Sequence, residues 1–351
     1  DEFFFMQLRL LQMKIIRKKT YSGFIFPSVG KFFNDFYNSN LPFELTGAQK
    51  RVVKEIRNDM NTGKQMNRLL QGDVGSGKTI VALMSMLIAM DNGYQTCIMA
   101  PTEILAMQHF GSISKLLGNM DIKISLLTGS TKKAERKMIH ESLQNGELNI
   151  LVGTHALLEK EVQFKNLGLA VIDEQHKFGV AQRAQLWKKG KSSAHSLNEA
   201  TGEIHAPHIL VMTATPIPRT LAMTLYGDLD ISVIDEMPPG RKLIKTVHRF
   251  EISRLKVFNF MKEQIKKGGQ IYIVYPIIEE SETLDYKNLN DGFEIIRNEF
   301  PSPEYNICIA HGQMKSNDRD IAMKLFAEGK THILVATTVI EVGVDIPNAS
   351  V

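Results

Sequence analysis

Short apolar runs alternate with longer segments of helical pattern from Leu41 onward. β-rich runs separated by helical patterns are typical of parallel strands joined by helices, so the chain is predicted to have an α/β fold. The first series has six predicted strands, at 68–71, 95–100, 122–127, 150–153, 170–173 and 209–213. The second series has four predicted strands, at 244–249, 270–275, 305–310 and 332–336.

The two series are separated by residues 235–242, where two Pro and one Gly mark a connection. The length of 351 residues also suggests two domains, at roughly 150 residues each. We therefore predict a first domain at 41–235 and a second domain at 236–351. The second is expected to be incomplete, because its series stops where a further strand begins. The polar residues 188–207 interrupt the first series and predict a surface loop.

Residues 1–40 stand apart because they contain eight of the 18 Phe, at positions 3, 4, 5, 24, 26, 32, 33 and 36. Apolar spacing predicts a helix over 2–19 that ends in basic residues 17–19. The favoured interpretation is a linker helix and aromatic segment that packs on the following domain, and the alternative is direct contact with DNA. Because the chain starts at Asp1 without a leader pattern and stops at Val351, where the pattern indicates the start of a strand, we expect both ends to be cuts within a longer protein.

Composition excludes several classes of protein. With 43% hydrophobic and 23% charged residues, the chain fits neither a disordered nor a fibrous protein. Its net charge of +4 is small, so any basic binding surface must be local. The longest apolar run, Ile80–Met90, is far shorter than the roughly 20 residues of a membrane span. Cys97 and Cys308 are the only cysteines, which excludes a disulfide framework and a Cys-based zinc site and favours a reducing, cytosolic compartment.

Residues 72–79, GDVGSGKT, match the phosphate-binding loop pattern G-x-x-x-x-G-K-[ST]. An apolar strand precedes the loop and a helical run follows it, as this motif requires. The glycines let backbone N–H groups surround phosphate oxygens, Lys78 adds a positive charge, and the Thr79 hydroxyl can bind magnesium. The candidate nucleotide-binding residues here are Gly72, Gly75, Ser76, Gly77, Lys78 and Thr79.

An apolar strand ends in Asp173 and Glu174, about a hundred residues after the loop. Acidic residues at a strand end are usually only solvated, but a phosphate-binding loop needs a second carboxylate for the metal and a group that activates water. Asp173 fits the metal role and Glu174 the water role, and His176 lies close enough in sequence to sense the γ-phosphate. Upstream, Gln49 precedes a helix and can both donate to and accept from an adenine edge.

Together these motifs resemble superfamily 2 helicases and, within them, the RecG family of bacterial branch-migrating DNA helicases. The resemblance covers nearly the whole chain. It rests on nine blocks in order: LTGAQ at 45–49, GDVGSGKT at 72–79, APTEILAMQH at 100–109, LLTGS at 126–130, VGTHALL at 152–158, IDEQHKFGVAQR at 172–183, MTATPIPRT at 212–220, AHGQM at 310–314 and VATTVIEVGVDIPNA at 335–349.

The resemblance implies two RecA-like lobes with parallel sheets, the second truncated, and an enzyme that uses ATP and Mg²⁺ to remodel stalled forks and Holliday junctions. It implies that Thr213 and Thr215 couple the ATP site to strand movement, and that Gly343 and Asp345 approach the nucleotide from the second lobe. The residues implied to lie by the DNA backbone are Pro101, Thr102, Gly129, Thr154, His155, His311, Gly312 and Thr338. It further implies a monomer of the bacterial cytoplasm, associated with the nucleoid and not with a membrane.

One departure from the family pattern limits these expectations. Superfamily 2 enzymes carry a Q-x-x-G-R-x-G-R block whose arginine reaches the γ-phosphate, and these 351 residues contain no such block. An arginine of this kind contributes ~10³ to 10⁵ to turnover, so we expect the chain to bind ATP and hydrolyse it poorly. Two alternatives remain: a nucleotide-gated binding module without catalysis, and an RNA helicase of the same superfamily.

Overall fold

The computed structural model describes residues 4, 5, 8, 12, 22–174, 189, 205–214, 229–238, 244–275, 292–311, 314–337, 346 and 348–351. These residues form two compact units, Asp1–Arg241 and Lys242–Val351. The boundary after Arg241 lies inside the segment 235–242 that carries the Pro and Gly residues. Most of the predicted helix at 2–19 and of the predicted loop at 188–207 lies outside the described residues.

The first unit contains a seven-stranded sheet in which every pairing is parallel. The order across the sheet is β4 (Ile124–Leu127), β5 (Ile150–Gly153), β3 (Gln95–Met99), β6 (Leu167–Ile172), β8 (His208–Thr213), β2 (Asn67–Gly72) and β9 (Asp230–Ile234). A short strand β1 (Ser22–Gly23) pairs separately with β7 (His205–Ala206). The predicted α/β class with a parallel sheet is therefore confirmed.

Within the described residues, five α-helices accompany this sheet: α1 (Lys31–Asp35), α2 (Gly47–Met60), α3 (Lys78–Asp91), α4 (Glu103–Leu117) and α5 (Lys133–Asn145). In α3 every residue from Ile80 to Met90 is buried, which explains the long apolar run in the sequence. The polar Ser85 within that run donates its hydroxyl to the carbonyl of Val81 at 2.8 Å, so burying it leaves no unmade bond. None of the described helices is long and apolar enough to cross a bilayer.

The aromatic segment at 22–40 packs on the rest of the first unit. Phe24, Phe26 and Phe36 are each no more than 3% exposed, and the ring of Tyr94 packs against Phe24 and Phe26. The carboxylate of Asp91, at the end of α3, accepts backbone N–H groups from Gly30, Phe32 and Phe33 at 2.8–3.1 Å. The segment is thus held by both apolar burial and directed hydrogen bonds.

The second unit is a three-stranded parallel sheet in the order β10 (Ile271–Tyr275), β12 (Ile333–Thr337) and β11 (Ile307–Ala310). Its helices are α6 (Arg254–Lys266), α7 (292–299) and α8 (Ser316–Ala327). Among the described residues, a cluster that includes Phe258, Met261, Phe300, Ile333 and Val335 forms its core.

One strand prediction was wrong, and one strand of the main sheet was missed. Residues 244–249 are not a strand, and all of 244–250 is exposed, with Ile244 82% exposed. A strand needs a hydrogen-bonded neighbour and usually a buried face, and this segment has no strand partner among the described residues. In the other direction, β9 was missed. It pairs only with β2 at the sheet edge, and an edge strand needs less apolar sequence than a central one.

Candidate nucleotide site and nucleic-acid interface

The loop between β2 and α3 has the geometry of a phosphate-binding loop. Gly75 has φ 77° and Gly77 has φ 89°, in the left-handed region that favours glycine. Gly77 is the N-cap of α3, so the first turn of this helix presents backbone N–H groups and the positive end of its dipole to an anion. A Cβ at Gly77 would collide with the side-chain amide of Gln49. The loop therefore depends on glycine for both its backbone angle and its packing.

Lys78 lies against the loop's own backbone in this conformation. Its Nζ donates to the carbonyl of Gly72 at 2.8 Å and to the carbonyl of Asp73 at 3.0 Å. The next residue, Thr79, is partly exposed at the start of α3. Ser76, in contrast, is only 1% exposed, so its side chain does not face a bound phosphate in this conformation.

Gln49 connects α2 to the phosphate-binding loop. Its Oε1 accepts the backbone N–H of Thr46 at 2.9 Å, while its own backbone N–H donates to the Thr46 hydroxyl, which completes a capping box. Its Nε2 donates to the carbonyl of Ser76 at 2.8 Å. Both ends of the amide therefore hold one protein hydrogen bond, and each end keeps one further position, a second N–H on Nε2 and a second lone pair on Oε1, for a ligand.

Asp173 and Glu174 follow the carboxyl end of β6. Asp173 is 8% exposed, and its Oδ1 accepts the backbone N–H of Glu174 at 3.1 Å. Glu174 is 3% exposed and has φ 51°, a left-handed conformation that non-glycine residues rarely adopt. Strained backbone of this kind is concentrated at functional sites. Thr213, the last residue of β8, is 3% exposed on the neighbouring strand.

Sequence reasoning missed His109. Its Nε2 lies 2.7 Å from Oδ2 of Asp173, and the residue is 7% exposed. His109 occupies the buried stripe of α4 together with Leu105, Ala106 and Ile113. A single ionisable residue on an otherwise apolar stripe was the available signal, but the sequence alone does not show which side chain it meets.

The donor set suits a nucleotide with a hard cation. Asp173 and Thr79 offer carboxylate and hydroxyl oxygens, which Mg²⁺ prefers, and Mg²⁺ usually takes only one or two protein ligands together with substrate phosphates. In the part of the chain that the structure describes, no group of three His, Cys, Asp or Glu side chains could hold a metal by itself. The glycine-rich loop and the start of α3 offer the complementary anion site, so the residues fit both groups.

The predicted DNA-backbone residues of the first unit follow three other strands. Pro101 and Thr102 come after β3, Gly129 comes after β4, and Thr154 and His155 come after β5. Gly129 and His155 are exposed, and Pro101 and Thr102 are partly exposed. Thr154 is only 2% exposed, so its hydroxyl does not face solvent in this conformation.

Hydrogen bonds connect two of these loops. Thr102 caps α4 by accepting the backbone N–H of Leu105 at 3.4 Å. Glu103, the next residue, accepts from the backbone N–H of Ser130 at 3.1 Å and from its hydroxyl at 2.8 Å. These bonds connect the loop after β4 to the start of α4.

Strand order separates the two sets of candidate residues. The loops after β4, β5 and β3 carry the DNA-backbone candidates, and those after β6, β8 and β2 carry the nucleotide candidates. Because all six strands are parallel, their carboxyl ends lie along one edge of the sheet, where ligands bind in open α/β folds.

In the second unit, His311 follows β11 and is partly buried, and this burial lowers the pKa of its imidazole. The remaining candidates lie outside the described residues, namely His176, Thr215, Gly312, Thr338, Gly343 and Asp345.

Comparison with protein families identifies the class. The DEAD/DEAH box helicase family matches residues 46–224, and the helicase conserved C-terminal domain matches residues 254–351. The chain belongs to the DEAD/DEAH box helicase family, and its two domains are the two RecA-like domains of that fold.

Within this class the chain is similar to RecG proteins along its whole length. It is 47% identical over 351 residues to the ATP-dependent DNA helicase RecG of Synechocystis sp., covering 100% of this chain and 40% of that protein. It is 45% identical over 352 residues to RecG of Thermotoga maritima, covering 100% and 43%. The chain spans 40–50% of the length of four such relatives.

Solved structures agree with this similarity. A structure of RecG bound to a three-way DNA junction matches with a TM-score of 0.81 and 41% identity, over 99% of this chain and 43% of that one. A structure of yeast Dbp5 bound to RNA and ADP BeF3 matches with a TM-score of 0.61 over 92% of this chain and 77% of that one. At 16% identity, the second match shows the fold alone.

Proposed function

We propose that the chain is the motor of a RecG-type, ATP-dependent DNA helicase that remodels stalled forks and branch-migrates Holliday junctions. The observation that carries the proposal is the strand order, in which the phosphate-loop motif and the loops with the candidate DNA-backbone residues follow parallel strands of one sheet. The similarity to RecG bound to a three-way junction supports branched DNA as the ligand. We further propose that the protein acts as a monomer on the nucleoid in the bacterial cytoplasm.

Nucleotide binding is assigned to motifs in several parts of the chain. Lys78 exchanges the carbonyls of Gly72 and Asp73 for phosphate oxygens, and Gln49 contacts the adenine. The amides around Gly75, Ser76 and Gly77 surround the phosphates, while Gly343 and Asp345 contribute from the second unit. Thr79 and Asp173 hold Mg²⁺, which when bound neutralises charge on the phosphates.

Hydrolysis depends on Glu174 and its surroundings. Glu174 orients and polarises the attacking water, and its backbone lies in the left-handed region. His176 contacts the γ-phosphate region, and Thr213 and Thr215 couple occupancy of the site to movement of the DNA. Because we assign the Glu174 carboxylate to the attacking water and not to nucleotide binding, Glu174→Gln should still bind ATP but should not hydrolyse it.

DNA is held through its backbone. The loops at Pro101, Thr102, Gly129, Thr154 and His155 offer helix starts and backbone amides, which bind phosphates without reading bases. In the second unit we assign the same role to His311, Gly312 and Thr338. Such contacts suit a motor that moves along any sequence, and they agree with the small net charge of +4.

The proposal is tested by ATPase assays on two polypeptides, residues 1–351 and a longer chain that includes a Q-x-x-G-R-x-G-R block. We expect fork DNA to stimulate the longer chain more than linear duplex or single-stranded RNA does. The shorter chain should bind ATP and turn it over slowly. If the longer chain also fails to hydrolyse ATP, the chain is a nucleotide-gated binding module; if RNA stimulates it best, it is an RNA helicase.

A further inference from the structure

A buried contact joins the two halves of the sheet edge in the first unit. Nε2 of His109 lies 2.7 Å from Oδ2 of Asp173, and the two residues are 7% and 8% exposed. A carboxylate oxygen accepts, so Nε2 of His109 is the donor. The bond is therefore directed, shielded from water and made to the carboxylate that the proposed function assigns to Mg²⁺.

The position of His109 in the fold distinguishes it from an ordinary core histidine. It is the seventh residue of α4, the helix that Thr102 caps, and α4 follows β3. β3 is the last strand of the DNA-binding half, and its neighbour β6 is the first strand of the nucleotide half. His109 thus connects the helix that begins at a DNA-backbone loop to a side chain of the nucleotide site.

A second link runs parallel to the first. The backbone N–H of Asp173 donates to the carbonyl of Met99, at the end of β3, at 2.9 Å. Oδ1 of Asp173 accepts from the backbone N–H of Glu174, and Oδ2 accepts from His109. The rotation of this carboxylate is consequently set by one bond on each oxygen, while further acceptor positions remain for a cation.

We propose that His109 is a positioning residue: it holds the Asp173 carboxylate in the orientation that binds the metal, and transmits DNA occupancy at the start of α4 to that orientation. The inference rests on the proposed function. A small displacement of α4 when DNA binds at Pro101 and Thr102 moves the imidazole and, through it, Oδ2 of Asp173. Partners that orient a metal-binding side chain commonly change metal affinity or activity by about 10- to 100-fold when they are removed.

Two substitutions separate positioning from packing. His109→Phe keeps a ring of similar size and removes the donor, whereas His109→Gln keeps an N–H donor at about the reach of Nε2. The measurement is the affinity of Mn²⁺ for the chain with a non-hydrolysable ATP analogue, from electron paramagnetic resonance of free Mn²⁺, with and without three-way junction DNA. Junction affinity without nucleotide or metal is measured in parallel by fluorescence anisotropy.

For the wild-type chain, we expect junction DNA to change the Mn²⁺ affinity. His109→Phe should weaken Mn²⁺ binding by about tenfold or more, remove the response to DNA, and leave junction affinity unchanged. His109→Gln should restore most of both effects. If His109→Phe does not fold, His109→Asn replaces it, because its side chain is too short to reach Oδ2 of Asp173.

If His109→Phe binds Mn²⁺ with the wild-type affinity and still responds to DNA, the inference is overturned and the proposed function remains intact. Equal losses in the Phe and Gln variants would also overturn it, because they would show that packing alone matters. If the wild-type chain binds neither the ATP analogue with Mn²⁺ nor junction DNA, the proposed function itself fails, and the inference fails with it.

Discussion

Lys78 shows how a single side chain serves two states of the nucleotide loop. Its ammonium donates to the carbonyls of Gly72 and Asp73, two residues of the phosphate-binding loop itself. These carbonyls are neutral acceptors. A negatively charged phosphate oxygen accepts a stronger hydrogen bond from the ammonium and can therefore replace them. Under the proposed function, the lysine that donates to these two carbonyls in this conformation donates to phosphate oxygens of the nucleotide instead.

Lys78→Met should weaken ATP binding at least tenfold, which corresponds to about 1.4 kcal/mol, because both the charge and the donor are lost. Isothermal titration with a non-hydrolysable ATP analogue measures this. Lys115→Met, which removes an exposed lysine from the end of α4, is the control and should bind like the wild type. Equal affinity in the two variants would contradict the assigned role of Lys78.

His208 supports a pH prediction for the first unit. Burial lowers the pKa of this histidine from 6.5 to about 4, and its neutral ring accepts the backbone N–H of Met66 at Nδ1 and donates from Nε2 to the carbonyl of Phe24. Since the folded pKa lies below the unfolded one, its contribution is complete above pH 6.5 and declines as the pH falls towards 4. At pH 5 the loss is about 2 kcal/mol.

Denaturant unfolding of the wild type and of His208→Asn at pH 7.5 and pH 5.0 measures this contribution. The Asn variant should be less stable at pH 7.5 because it loses the bond to Phe24, but its stability should fall less between the two pH values. Other titrating groups affect both proteins alike. The difference between the two proteins in how far the unfolding free energy falls from pH 7.5 to pH 5.0 is therefore due to His208. An equal fall in unfolding free energy in the two proteins would show that His208 is not the responsible group.

At the residue level, the candidates that the sequence supplies are those whose chemistry is contained in a short motif. Lys78, Asp173 and Glu174 follow from local spacing, because a phosphate loop and an acidic strand end need few neighbours to be identified. The partner of Asp173 did not follow, because His109 is 64 residues away and meets it only through the pairing of β3 with β6. The engagement of the Gln49 amide with Ser76 was missed for the same reason.

Among the elements, central strands were easier to predict than edges and connections. β5 was predicted with its bounds unchanged, β8 begins one residue earlier than predicted, and β6 begins three residues earlier and ends one residue earlier. Parallel strands buried on both faces have continuous apolar sequence, which is a strong local signal. β9 and the exposed 244–250 segment lack that signal, because their state depends on which other strand lies beside them.

Asp91 is the element-level test of how the aromatic segment is attached. Its carboxylate accepts three backbone N–H groups at the start of α1, so Asp91→Ala should destabilise this attachment by about 1–2 kcal/mol. Limited proteolysis followed by mass spectrometry should then show faster cleavage within 22–40. Asp121→Ala, at an exposed carboxylate on the same unit, is the control and should leave the rate unchanged. Unchanged cleavage in the Asp91 variant would mean that burial of Phe24, Phe26 and Phe36 is sufficient.

At the scale of the whole molecule, the nucleotide contacts proposed for Gly343 and Asp345 can be tested separately from those proposed for the phosphate loop. The first unit carries the phosphate loop at 72–79, whereas Gly343 and Asp345 belong to the second unit, Lys242–Val351. A ligand that contacts backbone in both units lowers amide hydrogen exchange in both, because opening of either then has to break those contacts. A ligand of the first unit alone protects only that unit.

Hydrogen exchange distinguishes these outcomes. It is measured on the whole chain carrying Glu174→Gln, which prevents turnover of ATP. Saturating ATP with Mg²⁺ should slow exchange in peptides spanning 72–79 and also in peptides spanning 335–349. Repeating the experiment with Lys78→Met should abolish protection at both places, because both depend on the same bound nucleotide. If protection is confined to 72–79, Gly343 and Asp345 do not bind the nucleotide in this chain, and the energy of ATP binding stays within the first unit.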